Sequence, residues 1–567
     1  MRTFFRRLLD EQPWLWVGFA IILLLPALMV NLGIMPLSED EATRAIVAME
    51  MMFSGNYVVP TFAGEYYYNK PPLFNWIVGA FFAVAGNYSE FSLRMVPVAS
   101  LLGFGLTIFL FFRKRYGNYL AALFALVFIT SGRLLFWESF LGLIDITYSW
   151  VTYASFLVIY TCFEKKQWWK LFLLSYLLAV VGFLMKALPS VVFQGLTLLA
   201  WFVYKKEFRK LFLPAHFAGG ALFLALLAGY YWLYLQYNPG SFEVIAKILF
   251  GESSQRTVLE NSVQRSLQHM LEYPGELMYH FLPWTAAGIL LLIPDIRREV
   301  FKDEFVQFNA LIFLVNIFVY WISPEVSPRY ILMLAPLLLM PLTFAWLRNM
   351  GEDHWIRKAF DVLLIVALGG ATLASLAYLF VPITAELPFV WPVSIGSFIA
   401  IGLFTYLFII APNSRPILLV LVLLVLRVQF NFLVLPTRID GYKFTPAARG
   451  SEAAADQIPV DQPLYIYSRL PMVYVFNGPK YVTRQQVYYL SRVREEIIPI
   501  RDNITDYSAF YLARDTALAE RPHEVLHEIP IVKKSETLKV VRFSNLDRVS
   551  KPSNLDRVQN PVEVLPD

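Results

Sequence analysis

As far as residue 435, polar positions are spaced so that apolar runs of about twenty residues lie between them, the length an α-helix needs to cross a bilayer. The runs fall near 14–32, 91–112, 118–136, 143–163, 168–185, 187–204, 211–233, 278–294, 305–323, 329–347, 359–381, 389–411 and 416–435, about thirteen in all. Basic residues mark alternate returns: Arg2, Arg6 and Arg7, then Arg113-Lys114-Arg115, Lys165-Lys166, Lys205-Lys206, Arg297-Arg298, and the stretch from Arg348 to Lys358. Positive charge collects on the cytoplasmic side, so this alternation predicts an inside N-terminus and, with an odd count, an outside C-terminus. Two long polar interruptions, about 33–90 and 234–277, then lie outside. The first carries helical periodicity near 40–54 and 71–85, each too short and too amphipathic to span, and reads as two interfacial helices. The length of the second suits a lid or substrate-binding loop better than a plain connector.

After about residue 440 the texture changes. Short β-like runs at 463–467, 510–512 and 539–543 alternate with helical stretches at 446–457 and 484–494. The expected organisation is a membrane domain over 1–440 and a small soluble α/β domain over 441–567. Within its tail, Ser544-Asn545-Leu546-Asp547-Arg548-Val549 recurs at 553–558, and two copies read as a flexible polar end, not a solenoid.

Composition agrees with the pattern. At 57% hydrophobic, 16% charged and a mean hydropathy of +0.53, the 567 residues predict a polytopic helical membrane protein. The net charge of +5 is too small to argue for nucleic acid. Cys162 is the single cysteine, which excludes an intrachain disulfide framework and a cysteine zinc site. The N-terminal apolar run lacks a convincing small-residue cleavage site and reads as a retained helix.

Against this apolar background the first loop stands out. Glu39, Asp40 and Glu41 precede a helical pattern, where carboxylates suit the N-terminal dipole, so capping and chemistry both remain open on these residues alone. Lys70 precedes Pro71-Pro72, which disfavour helix at Lys70 and start one immediately after it. That fixes an ammonium at a helix entry near the membrane surface.

The order Asp40-Glu41, Glu50-Met51, Ser54-Gly55-Asn56-Tyr57-Val58-Val59-Pro60, Gly64, Tyr68-Asn69-Lys70-Pro71-Pro72-Leu73, Trp76 and Ser89-Glu90-Phe91-Ser92-Leu93-Arg94 resembles the bacterial aminoarabinose lipid A transferases. More broadly it is similar to the protein O-mannosyltransferase superfamily of polyprenyl-phosphate-dependent GT-C glycosyltransferases. The resemblance implies a GT-C fold of about 13 transmembrane helices with a small C-terminal α/β periplasmic domain. It also implies a multi-pass protein of the bacterial inner membrane that takes a monosaccharide from undecaprenyl phosphate. The acceptor would be lipid A, a glycan or a protein, reached at the periplasmic face among membrane lipid, with no nucleic-acid partner.

The same resemblance implies roles. Asp40 matches the aspartate the family places near the reacting sugar; Glu41 stands next to it, and relatives hold an acid similar to Asp145. Lys70, Lys186, and Arg329 with Tyr330 are the expected phosphate-binding groups. Tyr67, Tyr68, Asn69, Arg94, Arg265 and His269 are the expected substrate-binding residues. An acid at a membrane span is costly and usually paired, and Arg133 or Arg94 is the expected partner of Asp145. His269 falls where relatives carry a metal-binding histidine, so a divalent ion would be held by Asp40 and His269; many relatives have Glu where Asn69 stands, which removes one ligand. Rival readings are a transporter or flippase of lipid-linked sugar, and a non-catalytic protein that binds it.

Overall fold

The computed structural model describes residues 11–241, 243–244, 263–323, 326–469, 484–518, 521–531 and 537–544. The chain divides into two compact units, the larger comprising 1–445 with 495–497 and the smaller 446–494 with 498–567.

The larger unit is helical. Among the described residues nine helices are long and apolar enough to cross a membrane, and the bent pair Asn118–Ile129 and Gly132–Phe140, which turns by 53°, makes up to ten. Two more expected spans coincide with shorter apolar helices, Pro13–Met29 and Pro189–Tyr204. The run near 278–294 holds no such helix: helix Val263–His280 ends inside it and a 3₁₀ segment, Trp284–Leu292, follows between Pro283 and Pro294. Proline removes the backbone donor that an α-helix would use at those points.

Close packing of the spans depends on small residues. A Cβ at Gly105 would meet Ile129 Cδ1 at 2.6 Å, and one at Gly103 would meet the Trp150 ring at 2.6 Å. Helix Glu90–Tyr116 therefore lies directly against both Asn118–Ile129 and Asp145–Glu164.

The first loop is built as the polar pattern suggests, with one addition. Helices Glu39–Ser54 and Leu73–Ala85 occupy the two amphipathic stretches, and between them Thr61–Phe62 (β1) and Glu65–Tyr66 (β2) pair antiparallel. Ala63 and Gly64, with φ of 51° and 76°, make the tight turn that the strand twist favours. Glu50 holds this turn: its Oε1 accepts from Ala63 N at 2.5 Å and its Oε2 from Gly64 N at 3.2 Å.

The smaller unit is a five-stranded sheet ordered β4-β3-β5-β7-β6, from Leu464–Tyr467 (β3), Ile500–Arg501 (β4), Phe510–Arg514 (β5), His523–Pro530 (β6) and Thr537–Phe543 (β7). β3 pairs parallel with β4 and β5, while β7 pairs antiparallel with β5 and β6. Helices Thr445–Gln457 and Arg484–Arg494 fall where helical periodicity placed them. The repeated segments from 545 onward lie outside the described residues.

Candidate active site

The site begins where Ser38 starts helix Glu39–Ser54. The Ser38 N–H donates to Glu41 Oε2 at 2.9 Å, the reciprocal half of a capping box, which turns the neighbouring Asp40 outward. Glu41 is completely buried. Arg94 Nε donates to its Oε1 at 2.8 Å and Gly142 N donates to the same oxygen at 2.7 Å. Arg94 in turn donates to the carbonyls of Leu32, Met35 and Pro36. Burial pushes the Glu41 carboxyl upward, but Arg94 and the donors from Gly142 and Ser38 more than offset it and hold the group below the ordinary glutamate range. Glu41 and Arg94 thus face each other inside the protein, tying the first loop to helix Glu90–Tyr116.

Asp40, half exposed, meets a charge from the far end of the chain. Arg329 Nη2 donates to Asp40 Oδ2 at 2.9 Å, and Arg329 Nε stands 3.8 Å from Asp145 Oδ2. Lys186 Nζ reaches Asp145 Oδ1 at 2.6 Å. The result is an alternating row, Asp40, Arg329, Asp145, Lys186. Asp145 opens helix Asp145–Glu164, Lys186 closes Trp168–Lys186, and Arg329 lies in the first turn of Pro328–Leu334, so four separated segments bring their ends together.

Aromatic rings floor the cations. Lys186 Nζ lies 4.3 Å from the centre of the Tyr330 ring and 5.2 Å from that of Tyr148. The expected partners of Asp145, Arg133 and Arg94, are engaged elsewhere: Arg133 pairs with buried Glu138 at 2.7 Å and Arg94 with Glu41. Asp145 therefore pairs with Lys186 and Arg329, because the ends of the helices that carry them converge there while Arg133 and Arg94 are held by acids of their own.

The tyrosine run forms its own set of contacts. Tyr67 is buried and its hydroxyl accepts from Arg44 Nη2 at 2.8 Å, while the Tyr68 hydroxyl accepts from Asn238 Nδ2 at 3.0 Å. Asn69 is exposed and Lys70 half-buried where Pro71-Pro72 lead into helix Leu73–Ala85. His269 sits on helix Val263–His280 with Nε2 3.3 Å from the Tyr320 carbonyl, and its ring lies against Tyr273. Of Arg265 only the helical backbone is described.

Three contributors escaped sequence reading. Tyr148 is one turn from Asp145 on the same helix, and Arg44 one turn from Asp40, spacings that a helical face makes visible. Glu138, paired with Arg133, is close enough to Asp145 and Arg329 to feel both charges, which nothing in the sequence signals.

Among the described residues no three His, Cys, Asp or Glu side chains gather as ligands; Asp40 faces a guanidinium and His269 a carbonyl.

The architecture defines the class: a multi-pass membrane protein of the GT-C fold, with a small sheet domain that follows the membrane part in sequence. The ArnT protein of Cupriavidus metallidurans bound to undecaprenyl phosphate superposes with a TM-score of 0.66 at 17% identity, covering 95% of this chain and 99% of that one. The family model for dolichyl-phosphate-mannose-protein mannosyltransferases matches residues 69–232. More particularly, the chain resembles the aminoarabinose transferases. It is 34% identical over 17% of its length to the undecaprenyl phosphate-alpha-4-amino-4-deoxy-L-arabinose arabinosyl transferase of Shewanella sediminis, and 25% identical over 63% to that of Edwardsiella ictaluri. These matches span 18% and 64% of the two relatives, less than two thirds of either.

Proposed function

We propose that the protein is a membrane glycosyltransferase that moves a monosaccharide from undecaprenyl phosphate to a hydroxyl of an envelope acceptor at the periplasmic face. The observation that carries this is the row Asp40, Arg329, Asp145, Lys186 at the meeting of helix ends, one acid half exposed and two cations beside it. The relatives named for undecaprenyl-phosphate aminoarabinose transfer support a pentose donor; lipid A is the acceptor that the resemblance of the first loop implies.

In this reading the bond from the sugar C1 to the phosphate oxygen breaks with its electron pair passing to the phosphate. Lys186 and Arg329 offset the charge that develops there, on a floor of Tyr148 and Tyr330, with Lys70 as a further cation. The acceptor oxygen bonds to C1 and its proton passes to Asp40, a base held at the site by Arg329. Asp145 positions both cations. Glu41 and Arg94, each enclosed by fixed partners, serve the architecture of the loop instead of the reaction.

Asp40→Ala in purified protein tests this. Transfer from undecaprenyl-phosphate-linked sugar should fall by about 100-fold or more while the variant still binds the donor. Undiminished turnover would overturn the assignment of the base. Movement of lipid-linked sugar between leaflets without any transfer would favour a flippase.

A further inference from the structure

Polar side chains gather inside the spans close to Lys186, at a place no step above uses. Helix Asp145–Glu164 contributes Thr152 and Ser155, helix Pro189–Tyr204 contributes Ser190 and Gln194, and each of the four is nine-tenths or more buried. Together with Phe156 and Gly182 they line a cavity of about 10 Å³, room for the centre of one water. Gly182, one turn before Lys186 on helix Trp168–Lys186, keeps that space open: a Cβ there would stand 2.6 Å from Ser190 Oγ and 3.6 Å from Tyr148 Cε2. The hydroxyl end of Tyr148 therefore reaches the cavity from the side of the cations.

The hydroxyls do not satisfy one another. Thr152 Oγ1 donates back to the Tyr148 carbonyl at 3.0 Å, and Gln194 Nε2 donates to Ser175 Oγ at 3.1 Å. Among the described residues Ser155 Oγ has no hydrogen-bond partner, and Ser190 Oγ and Tyr148 Oη lie close without the geometry of a bond. Hydrocarbon offers a buried hydroxyl nothing in exchange for lost hydration. An apolar cavity of this size stays dry, whereas one ringed by about two to four polar groups is the kind an internal water fills.

We propose that this cavity binds one ordered water, shared by Ser155 Oγ, Ser190 Oγ and Tyr148 Oη, and that the two serines thereby position the Tyr148 ring under Lys186. The centre of that ring lies 5.2 Å from Lys186 Nζ, so a ring that turns takes away part of the floor of the cation. Water binding is read without turnover; the positioning role rests on the transferase reading, so the two fail separately.

The test exposes the full chain in nanodiscs to a short X-ray pulse, which makes hydroxyl radicals from bound water in place, and locates oxidised residues by mass spectrometry. Phe156, 1% exposed and lining the cavity, is expected to take up label even with a radical scavenger in the bulk. Phe308, 0% exposed between Tyr160 and Trp201, is the dry control. Ser155→Ala with Ser190→Ala, at an unchanged melting temperature, should lose the Phe156 label. It should also raise the donor KM about fivefold, the scale of one hydrogen bond, with kcat little changed, because Lys186 meets the phosphate before as well as during transfer. No more label at Phe156 than at Phe308, or a label that the scavenger abolishes, overturns the site in the wild type alone, whatever the variant does. Label that persists in the double variant overturns the assignment of the two serines. Label lost with an unchanged donor KM overturns their positioning role.

Discussion

Arg329 reaches across 289 positions of sequence to donate from Nη2 to Asp40 Oδ2 at 2.9 Å. Through Nε it also stands 3.8 Å from Asp145, so one guanidinium spaces two acids that would otherwise repel. Asp145 is then shared between Arg329 and Lys186, and the whole row depends on keeping its charges alternating.

Breaking that alternation should cost stability as well as activity. Lys186→Met leaves Asp145, whose side chain is 5% exposed, short of its nearest cation and should destabilise the protein by about 3 kcal/mol, the low end for a broken buried pair. Adding Asp145→Asn should restore much of the melting temperature without restoring transfer. Recovery of transfer in the double variant would show that Lys186 only neutralises Asp145.

Glu41→Gln is expected to lower stability near neutral pH by about 3–5 kcal/mol, because Arg94 loses its buried counter-charge. The Glu41 carboxyl is held below its ordinary value of 4.5, so its contribution is fully present above that value and is lost as pH falls through the lowered one. Melting curves should show wild type losing more stability than Glu41→Gln as pH drops below about 4.5.

Glu50 titrates in the opposite sense. Burial is the largest influence and pushes its carboxyl up to about 7, against donors from Thr61, Gly64 and Ala63. A group raised in this way favours the folded state below 4.5, and that contribution fades as pH rises through about 7. Glu50→Gln keeps an acceptor for the hairpin turn and should flatten the stability profile between those values. A variant that keeps the wild-type slope would place the titration elsewhere.

Ala187 carries φ of 61° and ψ of −133° directly after Lys186, a conformation that glycine adopts far more readily than alanine. Ala187→Gly should raise stability by about 1 kcal/mol through relief of that strain, seen as a higher melting temperature. The lysine at the site would then sit on a softer backbone, and the donor KM should rise.

Much of the larger unit was legible because its signals are local. Apolar length located the spans, and the acids after Ser38 with Pro71-Pro72 located the two loop helices. The hairpin β1–β2 was invisible, since two-residue strands carry no periodicity and their turn is held by Glu50 from a separate helix. In the smaller unit, apolar alternation found β3, β5 and β7, while two-residue β4 and the exposed edge strand β6 left no such trace.

The sequence by itself determined where apolar spans and polar loops alternate and which residue types the loops offer, because hydropathy and helix-terminal chemistry act over one to twenty residues. Tertiary structure alone decided the partnerships. It sent Glu41 inward to Arg94 and Asp40 outward to Arg329, though the two acids are adjacent, since a helix turns neighbouring side chains through about 100° onto different faces. It likewise gave Asp145 to Lys186, 41 positions away, because charge pairing in a low-dielectric bundle follows which helix ends meet and not the order in which they were synthesised.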